Sequence, residues 1–478
     1  MKDRDESVKS IHESNTDGDK KVHSSRRWVI VFSAFVINII VDGCLFSFGV
    51  IYVQFLEEFK ETRSNTAWIG SMLDSAPMLF GPVASIITKR IGFRKATIVG
   101  GLIGFAGFIA STFVNSIEAL CLTFGLIAGF GISIPYLNSV VVVTAYFEKK
   151  RTIATGFSQS GAGLGTLIFA PLYEFLIEQY GWRGALTIIG GILLQTIPCG
   201  AVFRNVNDFV DIEDEEIITE KPLENNIMTE KENPESIDVT AKFIEKSTAR
   251  YTDNESKESV SLARNIYKNI LRKFSMLKDI NFLLFTCSLF IVYFWYDLPY
   301  NFTVDRMHGF GYSTKKGSYI VAVIGASHIV GNILFGFLGS KNEKFRFYLY
   351  CGSLCIWGVN ICAIPLFRDY IPNMILAGTF GLISACQEAI HAVIIIDILG
   401  EDKITDAYGL LMFFEGIANL TGPPFAGWLY DISGSYNNTY ISGGSCICFA
   451  GIMVLITRIC FTKSKNVNLP ENNIEDVS

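Results

Sequence analysis

Within the first long apolar segment of the chain, residues 28–55, lies the stretch Asp42-Gly43-Cys44-Leu45-Phe46-Ser47-Phe48-Gly49-Val50. An aspartate at the centre of a membrane helix costs roughly 2.5–3.5 kcal/mol on insertion scales, so it persists where protein shields it or where it lines a polar pathway. Four residues at spacings of four, four and three share one face of a helix, namely Asn38, Asp42, Phe46 and Gly49. We expect this face to line the inside of a helical bundle.

Apolar segments of similar length recur along the chain and predict an all-α membrane protein. Half of the 478 residues are hydrophobic, and about 20 consecutive apolar residues are enough to cross a bilayer as a helix. Twelve transmembrane helices in two six-helix halves are predicted, at about residues 28–55, 66–88, 96–115, 117–146, 152–177, 183–203, 281–304, 316–340, 345–366, 371–399, 405–430 and 438–461.

The polar segments around these helices predict the domain organisation. The loop between the halves is rich in charged and polar residues and cannot bury enough apolar surface to fold alone, so we expect it to be largely disordered. Within it, residues Leu262 to Met276 carry several basic side chains and are expected to form an amphipathic helix on the membrane surface. The predicted parts are an N-terminal tail (1–27), an N-terminal half (28–203), the loop (204–278), a C-terminal half (279–462) and a C-terminal tail (463–478).

Basic residues cluster in alternate loops and predict the orientation of the helices. Lys and Arg precede the first helix and follow the second, fourth and eighth, at residues 20–27, 89–95, 149–151 and 341–346. The positive-inside rule therefore places both termini and the long loop in the cytoplasm. The loop after the seventh helix, with Lys315 and Lys316, fits this rule poorly.

Two six-helix halves joined by a long cytoplasmic loop have the layout of the major facilitator fold, whose substrate site lies between the halves near the membrane midplane. The loop from Lys89 to Lys95 resembles the basic loop that this superfamily has after its second helix, although Lys89 replaces the usual acid. A weak internal repeat supports the same fold, because Gly81-Pro82 and Gly331 to Gly336 occupy equivalent places in the two halves.

Two further motifs resemble those of the monocarboxylate transporter family. The stretch Tyr146-Phe147-Glu148-Lys149-Lys150-Arg151-Thr152-Ile153-Ala154-Thr155-Gly156 is similar to the family motif that enters the fifth helix. Four segments resemble its tenth and eleventh helices: Asp397 to Gly400, Ala407 to Leu410, Gly422 to Gly427, and Asp431. The resemblance covers nearly all of the membrane part and neither the middle loop nor the tails.

The resemblance implies a secondary transporter of the plasma membrane rather than an enzyme. Its substrate would be a small organic solute, a monocarboxylate or a related metabolite, moved by alternating access through the lipid bilayer. The family also implies that no cofactor is needed, that nucleic acid is not a partner, and that some members require a single-span ancillary glycoprotein. Consistent with this, the sequence shows no nucleophile–base pair, phosphate-binding loop or metal-ligand cluster.

Three departures from the family bear on the substrate. Lactate carriers of the family resemble one another in a Lys late in the first helix and an Asp and an Arg in the eighth, where this chain has Gly49, His328 and Asn332. A buried Arg is the natural partner of a carboxylate, and Asn cannot replace its charge. We therefore expect a substrate that is not a simple anion, such as an amino acid or another zwitterion, with facilitated diffusion and proton symport both open.

Polar and aromatic side chains on the expected cavity faces form the candidate substrate site. Ionisable groups inside membrane helices are costly, which makes them functional candidates by default. Asp42 and His328 are also candidates for proton coupling, since imidazole groups titrate near neutral pH. The candidates are Asn38, Asp42, Phe46, Tyr136, Asn138, Gln159, Tyr293, Tyr296, Asp297, His328, Asn332, Gln387 and Glu388.

Structural roles remain open for the same residues. Asp42 can instead accept hydrogen bonds at a helix break near Gly43, and His328 can be a hydrogen-bonded core residue. The tyrosines can serve packing, and for Asp74 and Glu415 a structural role is favoured. A second class of function is also open, in which the chain is a non-transporting sensor or scaffold that uses the transporter fold for ligand detection.

Overall fold

Long apolar segments fold into α-helices over most of the described residues, and within each half few residues connect one helix to the next. The computed structural model describes residues 28–146, 151–203, 274–340, 342–400 and 404–467. The predictions for the two tails, for nearly all of the middle loop and for most of the amphipathic helix Leu262–Met276 lie outside these described residues. In the described end of the loop, Ser275–Lys278 form a short 3₁₀-helix.

The first group of helices comes from the N-terminal half. One backbone break lies in the middle of α8, where Gly181 has a φ of 68°, so that this element comprises two helices joined at an angle. A π-helical segment, Cys121–Ala128, precedes α7. The helices are α1 (28–46), α2 (Phe48–Phe59), α3 (Arg63–Leu79), α4 (Gly81–Ile91), α5 (Phe93–Ser111), α6 (Ile117–Leu120), α7 (Gly129–Tyr146), α8 (Arg151–Leu193) and α9 (Thr196–Ala201).

The second group of helices comes from the C-terminal half. A 3₁₀-turn, Ile364–Leu366, follows α13 and redirects the chain toward α14. The helices are α10 (Ile280–Tyr296), α11 (Leu298–Gly309), α12 (Thr314–Gly339), α13 (Glu343–Ala363), α14 (Tyr370–Leu399), α15 (Ile404–Ser433) and α16 (Tyr436–Val467).

The helices have the character of membrane spans. Nine helical segments in the described part of the chain are long and apolar enough to cross a bilayer. Large apolar side chains such as Ile333 and Phe337 on α12 are exposed, as expected for a surface that faces lipid. The predicted all-α membrane architecture is confirmed, whereas the count of twelve spans stays a prediction.

Helices α3 and α15 are not among these nine segments, and they carry polar side chains deep in the molecule. Asp74 lies on α3, while Glu415 and Asn419 lie on α15. The two helices pack against each other, so these polar groups face protein rather than lipid. Because one helix belongs to each group, their contact is part of the interface between the groups.

Glycines allow the two groups to meet backbone to backbone. Helix α8 packs on α12, and a Cβ atom on Gly163 or Gly325 would lie 2.7 or 2.6 Å from the carbonyl oxygen of the other. Helix α2 packs on α11, where a Cβ on Gly49 would overlap the carbonyl oxygen of Tyr300. Side-chain-free positions of this kind are what permit close helix approach in membranes.

Charged and polar residues join the two groups at the end that we call the outer end, which the charge distribution predicts to be extracellular. Arg63, at the start of α3, donates through Nε to Asp305 Oδ2 at 2.7 Å and through Nη2 to Oδ1 at 3.3 Å. Tyr436 also donates to Asp305, and the Tyr430 ring centre lies 4.0 Å from the Arg63 guanidinium carbon. We call Arg63, Ser64, Asp305, Asp431 and Tyr436 the outer cluster.

Asp431 completes the outer cluster by capping a helix of the other group. Its two carboxylate oxygens accept the backbone N–H groups of Arg63 and Ser64, at 3.1 and 3.0 Å. These N–H groups begin α3 and have no partner within that helix, and a carboxylate there also interacts favourably with the helix dipole. The first turn of α3 is thereby fixed to the last turn of α15.

Candidate functional site

A cavity of about 420 Å³, lined by apolar and polar side chains, lies between the two groups of helices. Its lining reaches the inner ends of three helices, through Gly156 near the start of α8, Gly336 near the end of α12, and Tyr408 near the start of α15. At the opposite end the outer cluster joins the groups. The cavity is thus extended toward the end where the charge pattern predicts the cytoplasm.

Most of the predicted site residues meet in this cavity. The first helix contributes Asp42 and Phe46 one turn apart, as its periodicity predicts. The helix runs without a break through Gly43 and turns only at Ser47, so no helix break accompanies the acid. The predicted residues that line the cavity are Asp42, Phe46, Tyr136, Gln159, Tyr293, Tyr296, Asn332 and Glu388.

Asn38 lies behind the cavity, in a hydrogen-bonded contact among three helices. Its side-chain nitrogen donates to the backbone oxygen of Ser158 at 2.9 Å and to Gln159 Oε1 at 3.0 Å. Its side-chain oxygen accepts a hydrogen bond of 2.7 Å from Ser139 Oγ. Asn38 therefore joins α1, α7 and α8 and holds the amide of Gln159, which does line the cavity.

Asn138 has a similar position within the N-terminal group. Its side-chain nitrogen donates to Thr97 Oγ1 at 3.0 Å, and its oxygen accepts from Thr88 Oγ1 at 2.8 Å. The residue is fully buried and joins α7 to α4 and α5. Asn138 points into the protein, as predicted. It contacts neighbouring helices there and does not line the cavity.

Glu388 is the centre of a hydrogen-bonded cluster on the cavity wall. Tyr296 donates to Glu388 Oε1 at 2.9 Å, and His328 Nε2 lies 3.5 Å from Oε2. The side-chain nitrogen of Asn332 lies 3.2 Å from His328 Nδ1. If the amide donates there, His328 Nδ1 is the acceptor and Nε2 carries the proton that faces Glu388.

Asp74 and Asp297 form a carboxyl pair between the two groups. Their side chains are neighbours in the interface, and Asn419 donates to Asp74 Oδ2 at 3.1 Å. Asp297 is buried at the junction of α10 and α11 and does not line the cavity, whereas Asp74 does.

Gln387 completes the set of predicted residues and is also outside the cavity lining. It lies next to Glu388 on α14 with only 1% of its surface exposed. His328 has the same status: it is 3% exposed and contacts the cavity through Asn332 and Glu388. Sequence periodicity selects the polar side of these helices, while the depth of each side chain depends on the neighbouring helix.

Aromatic side chains form much of the cavity surface. The rings of Tyr293 and Tyr296 are stacked with centres 5.7 Å apart, and Tyr300 continues this stack behind Phe46. The His391 ring also stacks on Tyr408, with ring centres 5.6 Å apart. The predicted aromatic stripe of the seventh helix is therefore partly packing and partly cavity surface.

Several lining residues were not among the predicted site residues. The sequence does contain a signal for them, because the residues of α15 that line the cavity follow spacings of four, three and four. The additional polar or soft lining side chains are Asp74, Thr155, His391, Tyr408, Met412, Glu415 and Asn419.

The backbone explains why no cation stands at Gly49. The peptide of Tyr300 occupies the space into which a side chain at this position would extend. A Lys there could fit only if α2 and α11 moved apart. A residue without a side chain at position 49 therefore allows the two groups to pack closely here.

Two acids of the family-like motifs lie outside the cavity and hold helices together. Asp397 accepts a hydrogen bond of 2.7 Å from Arg346 Nη1, which joins α14 to α13 near their inner ends. Asp431 caps α3, as described above. Both acids therefore have structural roles between helices.

A helical membrane protein with a cavity between two helix groups, lined in part by ionisable side chains, has the architecture of a membrane transporter. Residues 31–423 match the Major Facilitator Superfamily, and the chain belongs to this superfamily. The predictions of a major facilitator fold, of a multi-pass membrane protein and of a transporter rather than an enzyme are thereby confirmed.

Relatives narrow the similarity within the superfamily. Monocarboxylate transporter 12 of Mus musculus is 28% identical, with 90% of this chain and 85% of that protein covered. Monocarboxylate transporter 12-B of Danio rerio is 29% identical, with 92% and 90% covered. Monocarboxylate transporter 9 of Pongo abelii is 28% identical, with 93% and 95% covered. The resemblance to monocarboxylate transporters is confirmed.

Solved structures support the fold. The crystal structure of a POT family transporter in complex with 5-aminolevulinic acid superimposes with a TM-score of 0.63. The match covers 91% of this chain and 96% of that one at 11% sequence identity. At this identity the likeness concerns the arrangement of helices and not the ligand.

Proposed function

We propose that the protein is a secondary transporter that carries a small organic solute, a monocarboxylate or a related metabolite, across the plasma membrane by alternating access. The observation that supports this most directly is the cavity between the two helix groups, to which each group contributes ionisable side chains: Asp42 and Asp74 from one, Glu388 and Glu415 from the other. Rocking of two halves about such a site is the established mode of transport in this fold.

The arrangement corresponds to an inward-facing state. The cavity lining includes Gly156, Gly336 and Tyr408 at the inner helix ends, while the outer cluster connects α3 to α11 and α15. Access from outside then requires that the pair Arg63–Asp305 separate and that Asp431 release the start of α3.

Proton coupling and facilitated diffusion are both compatible with this proposal. Glu388 and His328 form an acid–imidazole pair at the cavity, and Asp42 is a second acid that a proton could neutralise. We propose further, from the family resemblance, that both termini and the loop 204–278 are cytoplasmic between the halves 28–203 and 279–462. From the same resemblance we propose that a single-span ancillary glycoprotein is a partner of this chain.

Uptake by cells that express the chain tests the proposed function. Labelled carboxylates, amino acids and zwitterions are offered at external pH 6 and 7.5 (about the ordinary imidazole range), with non-expressing cells as the reference. Saturable uptake of at least one probe is expected. Flux of none of them, together with stabilisation of the purified protein by one probe, would instead favour the non-transporting sensor or scaffold.

A further inference from the structure

The charges of the cavity are one-sided. Four carboxyl side chains line it, from Asp42, Asp74, Glu388 and Glu415, and its described lining contains no Lys or Arg. Asp74 lies beside Asp297 and already accepts a hydrogen bond from Asn419. An anion that entered this space would meet like charges and no cationic partner, at a cost that low-dielectric surroundings increase.

Glu388 is arranged to stay ionised. The Tyr296 hydroxyl donates to one of its oxygens, and the ring nitrogen of His328 faces the other at 3.5 Å. Donors directed at a carboxyl group favour its charged form. Glu388 is also 30% exposed in its side chain, so this carboxylate is accessible from the cavity.

Four buried polar atoms of lining residues have no hydrogen-bond partner among the described residues, and one of them is the hydroxyl oxygen of Thr155. The other three are Glu415 Oε1, Asn419 Oδ1 and His391 Nε2, on residues that are 2%, 3% and 6% exposed. His391 Nδ1 lies 2.9 Å from the Gln387 carbonyl oxygen, so Nδ1 carries the proton and Nε2 of the neutral ring is an acceptor. These three atoms can therefore accept hydrogen bonds from a donor, and the Thr155 hydroxyl can accept one as well as donate one.

Aromatic rings complete this chemistry. Tyr136, Tyr293, Tyr296 and Tyr408 line the same space as the acids. The faces of such rings attract positive charge, with about 0.5–2 kcal/mol per favourable contact. An ammonium group has a positive charge and several donors and no acceptor, so it matches the acids, the unpaired acceptors and the rings together.

We propose that the cavity selects solutes that carry an ammonium group, in contrast to simple carboxylates. This inference rests on the proposed function, because it assigns the substrate class of the same cavity. The ammonium group lies between Asp42 and Glu388, one acid from each helix group, and any carboxylate that the solute also carries is not the group that these acids recognise.

Three probes with the same four-carbon chain test the proposal: butane-1,4-diamine, 4-aminobutyrate and butyrate. They differ in whether an ammonium group is present, so saturable uptake of the two amines should exceed that of butyrate by roughly tenfold, which corresponds to about 1.4 kcal/mol. Thermal stabilisation of the purified protein by each probe is measured in parallel, since binding does not require flux.

Matched variants locate the effect. Glu388→Gln and Asp42→Asn should each reduce uptake of the amines by roughly tenfold and raise any butyrate uptake, because each variant removes a negative charge that opposes an anion. Glu118→Gln, on the exposed surface of α6, is the control and should behave as the unsubstituted protein. The comparison of probes on the unsubstituted chain stands even if a variant fails to reach the cell surface.

The outcomes separate this inference from the proposed function. Saturable butyrate uptake, with neither amine transported, competing or stabilising, would overturn the ammonium assignment and keep the transporter. Stabilisation by the amines without flux would keep the assignment and overturn the transporter. If neither amine is taken up and neither stabilises the protein, the ammonium assignment is overturned.

Discussion

The outer cluster and the cavity lie on the same interface between the two helix groups, and both are rich in acids. In the outer cluster each acid has a partner: Asp305 is paired with Arg63, and Asp431 accepts two backbone N–H groups. In the cavity, Glu415 has a buried oxygen without a described partner, and the described lining provides no Lys or Arg. Partnered acids hold the protein together, whereas acids without partners are suited to a ligand that comes and goes.

The largest effect is expected from the cavity side of this comparison. Asp42→Asn should reduce uptake by tenfold or more, about 1.4 kcal/mol of substrate interaction, because the first helix provides no second acid. Asp74→Asn should change it less than about threefold, since Asp74 already accepts a hydrogen bond from Asn419 and an amide oxygen at position 74 can still accept it. Uptake rates of the two variants are measured at equal surface expression. Equal losses of uptake in both variants would contradict the prediction.

The next effect concerns the outer cluster. Arg63→Gln leaves Asp305, which is 6% exposed, without its cation, and removing one member of a buried pair is strongly destabilising. The inward-facing state should lose stability relative to the outward-facing state. A Phe46→Cys variant should therefore react faster with a membrane-impermeant thiol reagent applied from outside when Arg63→Gln is also present.

The matched control for this experiment removes the other partner as well. Asp305→Asn added to Arg63→Gln eliminates the unpaired acid and should restore slow labelling of Cys at position 46. The chain without Phe46→Cys measures the background from its own cysteines. Equal labelling rates with and without Arg63 would show that this pair does not keep the outer end closed.

A smaller effect is expected at the acid–imidazole pair of the cavity. If His328 couples protons, uptake rises as the external medium becomes more acidic, and His328→Gln flattens this dependence while the Tyr296–Glu388 hydrogen bond remains. Uptake measured from pH 5.5 to 8, the range in which imidazole ordinarily titrates, provides the comparison. Uptake by the unsubstituted chain that does not vary with pH would exclude His328 from coupling.

The smallest effect is expected from a charge pair within one helix group. Arg183 Nη1 lies 3.2 Å from Glu58 Oε1, and both side chains are 40–45% exposed. Exposed pairs contribute at most about 1 kcal/mol, so Glu58→Gln should leave both uptake and the melting temperature nearly unchanged. A large loss of uptake would show that charge pairing matters beyond the interface between the groups.

The sequence alone was sufficient for the helical architecture and for much of the cavity. Apolar length identifies a membrane helix, and the spacing from Asp42 to Phe46 identifies the face that lines the cavity. It could not distinguish Asn38 from Asp42 on that face, because Ser139 and Ser158 that bind Asn38 lie more than 100 positions away. Such contacts depend on how helices pack, which periodicity within one helix does not contain.

Other positions show the opposite limit. Glu415 and Asn419 are four residues apart, which places them on one face of a helix. This spacing does not tell whether that face contacts another helix or lines a cavity. The sequence favours a structural role for Asp74. Its hydrogen bond from Asn419 is structural, and its side chain also lines the cavity. The sequence shows that Gly49 stands where lactate carriers have a Lys. Only the three-dimensional structure shows that the backbone of Tyr300 occupies the space of a side chain at this position.

The glycine contacts between the groups have a consequence for conformational entropy. Where Gly163 meets Gly325, and Gly49 meets the Tyr300 backbone, there is no glycine side chain whose rotamers must be fixed when the surfaces come together. Ordering a long side chain costs up to about 2 kcal/mol, whereas glycine has none to order. Forming and separating these surfaces therefore changes rotameric entropy little. The balance between the two states can then be set by a few polar residues such as Arg63.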